Sequence, residues 1–212
     1  MQTRTDLGGR RKRSRTLVGF AVAGAITAVL AVAGPATAET GTPLACPAAG
    51  HVTYTLTRAA NPTADQTEAY GLITAAMDQA LTIYNCQIDI TKALTVSYNP
   101  AVATADGNFN GSIRFGARAS MRRVTAMHEI AHTLGVGTVA AWAAHLSGGV
   151  WTGAAATAKV AELTGNQTVE IHGDAQHFWP YGLNYESEVT SENDLVIHCQ
   201  VVLALRRDMG LS

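Results

Sequence analysis

Two hydrophobic periods organise the chain from residue 52 onward. Residues 52–56 alternate apolar and polar side chains of β-favouring type, which predicts a half-buried strand. Thr63 and Gln66 have the spacing of a helix capping box, and Ala69, Leu72, Ile73, Ala76, Ala80 and Tyr84 recur behind them at helical spacing. A long amphipathic helix follows, with Gly71 a weak point of about 1 kcal/mol relative to alanine. Residues 94–98 predict a second strand, stopped by Asn99-Pro100, and residues 112–116 a third. Between them, the Asp, Gly and Asn of residues 105–111 read as a turn.

A further helix is predicted from near Ser120, with Val124, Met127, Ala131 and Leu134 as its apolar stripe and Gly135 as its end. The Ala-rich residues 139–163 predict two short helices around the break Ser147-Gly148-Gly149. A last helix runs from a Ser191 cap, with Asp194 three residues on, through Val201, Val202 and Leu205 to Arg206, Arg207 and Gly210. No internal repeat interrupts this order. The pattern predicts an α+β domain, with strands gathered before the residue-120 helix and helices after it.

The N-terminal stretch changes the picture of where the domain begins. Arg10-Arg11-Lys12-Arg13-Ser14-Arg15 leads into residues 17–33, which carry no charge, and Ala36-Thr37-Ala38 supplies a small-residue cleavage pattern. Residues 1–38 are therefore expected to be a signal peptide cleaved after Ala38, and residues 39–212 a single secreted domain. An uncleaved anchor is the alternative, because the apolar run is close to spanning length. The Arg10-Arg11 pair alone does not assign an export route. After cleavage no segment is apolar and long enough to hold a membrane, and a monomer is expected. The net charge of −1 becomes more negative once the basic leader is lost, which argues against nucleic acid as a partner. The three cysteines, Cys46, Cys86 and Cys199, predict one disulfide and one free thiol, with the pairing left open.

The candidate chemistry lies on the residue-120 helix, in His128-Glu129-Ile130-Ala131-His132. Four residues along a helix amount to a little more than one turn, so both histidines project from one face and can reach one ion, for which Zn2+ is the expected choice. Glu129 beside them is placed to act as general base and acid on a water. A catalytic zinc takes three protein ligands and keeps a fourth position open. The candidates for the third are His177, Asp174, His172 and Glu162, with His177 favoured. It sits in residues 171–182, a stretch that gathers two histidines, an aspartate, glycines and three aromatics, a composition suited to presenting groups to a site. His51, His145 and His198 are read as structural.

The segment His128-Glu129-Ile130-Ala131-His132-Thr133-Leu134-Gly135 resembles the active-site helix of zincin metallopeptidases. Its glycine is similar to the start of the metzincin extension, although Thr138 stands where that pattern has a third ligand. The order of glycine, ligand and Tyr-Gly in residues 173–182 is similar to aspzincins, with His177 near the place of their aspartate. The resemblance implies a zincin-like fold, a small sheet packed on two long helices with a helical, loop-rich C-terminal part, and a cleft beneath an edge strand that residues 112–116 would supply. It also implies a peptide or protein substrate, and an oxyanion donor for which Tyr181 and Tyr185 are the candidates. Peptide deformylases share HExxH but require an upstream cysteine ligand, a role for which Cys86 in an exported, oxidised chain is unsuited. The expected function is a secreted zinc metallopeptidase. A zinc amidase or deacylase acting on cell-wall or glycan material, and a non-catalytic binding domain with structural zinc, are the alternatives.

Overall fold

The structure, a computed structural model, describes residues 46–211. The expected signal peptide lies outside them. The described chain is mixed α+β. Strand β1 (His51–Thr57) leads into helix α1 (Ala64–Gln87) and strand β2 (Thr91–Tyr98), followed by β3 (Ala105–Gly107) and β4 (Ser112–Phe115). Helix α2 (Arg123–Thr133) carries the histidine motif. Helix α3 (Ala140–Ala144), strands β5 (Leu146–Ser147) and β6 (Val150–Trp151), helix α4 (Ala154–Thr164), strands β7 (His172–Gly173) and β8 (Phe178–Trp179) and helix α5 (Glu192–Asp208) complete it.

The first sheet has the order β1-β2-β4-β3. β1, β2 and β4 are parallel, and β3 runs antiparallel to β4. The period-2 pattern turns Val52, Leu94, Val96, Ile113 and Phe115 inward, where they join Ile73, Met77, Tyr84, Met127 and Ile130 of α1 and α2 in one core. Thr63 and Gln66 form the expected reciprocal cap on α1, and Ser191 and Asp194 do the same on α5.

Three expectations are corrected here. Residues 112–116 are not the sheet edge, because β4 lies between β2 and β3. The edge is β3, within the stretch read as a turn. Its residues Ala, Asp and Gly have little β-propensity, and it is extended because it pairs with β4, where Arg114 Nε and Nη2 donate to Asp106 Oδ1 and Oδ2 at 2.9 and 2.5 Å, directly across the register. Helix α2 begins at Arg123, after a single 3-10 turn at Arg118–Ser120. The break at Ser147-Gly148-Gly149 is the turn of the β5–β6 hairpin, and β7 and β8 extend that small second sheet.

Cys46 is bonded to Cys86, which ties the lead-in segment to the end of α1, and Cys199 is a free thiol buried in the core. The disulfide suits an oxidising compartment outside the cytoplasm. No helix among the described residues is long and apolar enough to cross a membrane. Asp208, at the end of α5, caps a different helix: it accepts from Ala155 N at 2.8 Å, Ala156 N at 2.9 Å and Trp151 Nε1 at 3.0 Å, satisfying the free amides at the start of α4.

Candidate metal centre

His128 and His132 stand one turn apart on α2, with their Nε2 atoms 3.0 Å from each other. The loop between β7 and β8 brings His177 against both rings, at centroid separations of 5.5 and 5.7 Å. The three histidines can each offer one nitrogen such that all lie within 4.8 Å of one another. Of the four candidates for a third ligand, His177 is the one at the site. His172 lies stacked on Trp179, and Glu162 is paired with Lys159 along α4. Asp174 serves as a support instead: it accepts from the backbone N–H of Gln176 and His177 at 2.8 and 2.7 Å, and one of its oxygens lies 3.3 Å from His177 Nδ1.

The second nitrogen of each α2 histidine is held by a carbonyl. His128 Nδ1 lies 2.9 Å from Gly182 O and His132 Nδ1 lies 2.8 Å from Val136 O. A carbonyl only accepts, so both rings carry their proton on Nδ1 and direct a bare Nε2 inward. Burial first, then the neighbouring His132 charge, push the His128 imidazole down to about 3, against the bond to Gly182, and burial likewise lowers His132. Neutral imidazole is the form that ligates a metal.

Two glycines let neighbouring backbone approach α2. A side chain at Gly137, whose φ is +64°, would meet the backbone of Gln176 at 2.2 Å, so this position admits the loop that carries His177. One at Gly107 would meet Glu129 O at 2.3 Å, so β3 lies directly against the motif helix. Glu129 is only 5% exposed, and its Oε2 has no hydrogen-bond partner. Burial first, then the nearby Asp106, raise its carboxyl to about 8, with the Gly107 N–H opposing them. A cation held by the histidines would draw that value down, so the donor set and the orphaned oxygen both fit a bound divalent metal.

The centre lies between two cavities. The smaller, about 310 Å³, runs along β3 past Asp106, Gly107, Glu129, His132 and Thr138. The larger, about 780 Å³, is lined by Trp179, Pro180, Tyr181, Tyr185, Glu188 and Asp194 together with His128, Asp174 and His177. Tyr181 therefore shares a cavity with two of the histidines, while Tyr185 stands 73% exposed at it. Thr138, at the position of the absent metzincin ligand, donates to His132 O at 2.6 Å and closes the end of α2.

The sequence alone does not reveal the carbonyls of Gly182 and Val136 or the contact of β3 with α2. The first two are backbone features without a side-chain signature. The spacing of Asp174 and His177 was the one available sign of a carboxylate behind the third histidine. Compared with protein families, curated proteins and solved structures, the chain shows no match, so what the centre does is read from its own residues.

Proposed function

We propose that this chain is an exported zinc metallopeptidase. The observation that carries the reading is three convergent imidazoles beside a buried carboxylate with an unpartnered oxygen. Three histidines on one ion leave a tetrahedral position open, which suits a catalytic rather than a closed structural site. Zinc, when bound, supplies Lewis acidity, bringing a water's pKa toward about 7 and polarising a carbonyl.

The chain's own residues provide the rest. Glu129 takes a proton from the attacking water and returns it to the leaving amine, which explains a buried carboxylate lining the cavity beside the histidines. Tyr181 donates a hydrogen bond to the oxyanion. Strand β3 offers an edge for an extended peptide: Gly116 N donates to Thr104 O and Asn108 N to Ser112 O, so the backbone groups of Ala105 and the carbonyl of Gly107 face away from β4. The expected leader and the disulfide support export.

The test is metal content by mass spectrometry together with turnover of protein substrates by the wild type and Glu129→Gln. One zinc per chain is expected in both, with turnover in the variant reduced by about 10² to 10⁴. Full turnover by the variant, or a folded wild type free of metal after zinc supplementation, overturns the proposal. One observation favours an amidase or deacylase on glycan-bearing substrates as a second reading: Trp179 and Tyr185 are exposed beside the larger cavity, as sugar-stacking rings would be. Activity confined to peptidoglycan or acylated sugars in a substrate panel would select it.

A further inference from the structure

His198 lies on α5 with no exposed surface. Its Nδ1 is 2.7 Å from Tyr181 O and its Nε2 is 2.8 Å from the Tyr84 hydroxyl, while Phe178 stacks on the ring at 6.0 Å. Because the carbonyl can only accept, Nδ1 of the neutral ring carries the proton, and the single Tyr84 hydroxyl proton lies between Nε2 and Met127 O, which is 3.0 Å from the hydroxyl. The Tyr181 carbonyl thereby fixes the tautomer of the neutral ring. The next peptide along from Tyr181 is that of Gly182, whose carbonyl holds His128 Nδ1 at 2.9 Å.

This turn does not hold itself. Tyr181 and Leu183 have φ of +67° and +58°, in the left-handed region that non-glycine residues rarely adopt, so the surroundings must impose it. Glu188 accepts from Leu183 N at 3.0 Å and Asn184 donates to Phe178 O at 2.9 Å, anchoring positions to either side. His198 is bonded to the carbonyl directly before Gly182.

We propose that His198 is a positioning residue for the metal centre, acting through the Tyr181–Gly182 backbone to set the tautomer and aim of His128. The inference rests on the metal reading above. It explains why a polar pair, Tyr84 and His198, is kept deep in an otherwise apolar core: a hydrophobic residue would fill the volume but leave the turn's carbonyl unheld.

The test compares His198→Phe, which keeps an aromatic ring and removes the donor, with His198→Asn, whose amide can donate from near the position of Nδ1. Val202→Ala, on the same helix, controls for lost core stability. Zinc affinity is measured by chelator competition, and ligand geometry by the visible spectrum of the cobalt-substituted protein. Removal of such a supporting bond weakens metal binding by about 10- to 100-fold, which is the loss expected for His198→Phe together with an altered cobalt spectrum. His198→Asn and Val202→Ala should stay close to wild type.

A measurement on metal-free protein separates this proposal from the metal reading itself. The ¹⁵N shifts of the His128 ring should report the Nδ1–H tautomer in wild type and His198→Asn, and a tautomer mixture in His198→Phe. If wild type binds no zinc but the tautomer still depends on His198, the metal reading falls and the positioning role stands. Unchanged zinc affinity and tautomer in His198→Phe, or equal weakening by Val202→Ala, overturns the positioning role.

Discussion

His128 Nε2 faces His132 Nε2 at 3.0 Å, while the Nδ1 of each ring is turned to a backbone carbonyl. With both protons on Nδ1, two lone pairs point at each other inside the protein, an arrangement that a shared cation relieves. Metal binding should therefore stabilise the fold. Zinc at about 1,000 times its Kd contributes about 4 kcal/mol by mass action, so calorimetry should show a Tm that rises with zinc and falls with a chelator. A Tm indifferent to both would contradict the geometry.

Gly137 is the position at which the loop of His177 meets the end of α2. Gly137→Ala places a methyl against the Gln176 backbone and forces a left-handed φ on a residue that resists it by about 1 kcal/mol. Loss of zinc affinity should exceed loss of stability in this variant, because the displaced segment carries a ligand while most of the core lies elsewhere. Chelator competition beside urea unfolding measures both, and an unchanged affinity would show that the loop can shift without moving His177.

What was legible in the sequence is what local physics encodes. Helices α1 and α5 announce themselves by capping boxes and helical spacing, and the histidine pair by its four-residue interval. His177 stood out because residues 171–182 gather histidines, an aspartate and aromatics, and that stretch forms the β7–β8 hairpin with His177 between its strands. By contrast, β3 has the residues of a turn and is a strand only because Arg114 and the partner strand make it one. Likewise Asp208 carries no local sign of its capping role, because its partners Ala155 and Ala156 lie more than 50 positions away in the chain. His198 read as structural for the same reason: its partners, Tyr84 and Tyr181, come from distant segments.

Asp208 caps α4 with two backbone bonds and holds Trp151 with a third. Bonds to a charged acceptor contribute about 1.5 to 3 kcal/mol where they are buried, and these are shared by one partly buried carboxylate. Asp208→Ala should lower stability by about 2 to 3 kcal/mol in urea titration while leaving zinc affinity intact. A change below about 0.5 kcal/mol would mean that water replaces the cap.

In the metal-free protein Glu129 and the buried histidines give opposite slopes: Glu129, raised to about 8 from about 4.5, loses stability as pH rises through that range, and the histidines act the other way. Burial first holds the His198 imidazole down to about 4, and His128 is lowered to about 3, against about 6.5 for both in an unfolded chain. Above pH 6.5 both states are neutral and these groups contribute no slope. As pH falls from 6.5 toward 4 the unfolded chain takes up protons first, so stability is lost, by about 3 kcal/mol for His198 alone. Urea unfolding across this window should show the decline, and His198→Asn should flatten part of it. Identical profiles in wild type and His198→Asn would mean that His198 is protonated within the fold.

The larger cavity should also impose a charge preference on substrates. Asp174, Glu188 and Asp194 line it, with no lysine or arginine among the lining residues. Although burial works against it, the N–H groups of Gln176 and His177 hold the Asp174 carboxyl below its ordinary value, and those of Thr190 and Ser191 do the same for Asp194. Both are ionised at neutral pH and stand on the cavity wall away from the ion that the histidines would hold, and Trp179 and Tyr181 add ring faces that attract cations. Peptides with lysine or arginine beside the cleaved bond should show a kcat/KM about tenfold above their glutamate or aspartate counterparts, the scale of roughly 1.4 kcal/mol in differential binding. Because the cavity opens to solvent, added salt should narrow that ratio. A preference for acidic peptides would place the substrate's side chains elsewhere, and a basic preference unaffected by salt would assign it to direct contact within the cavity rather than to its field.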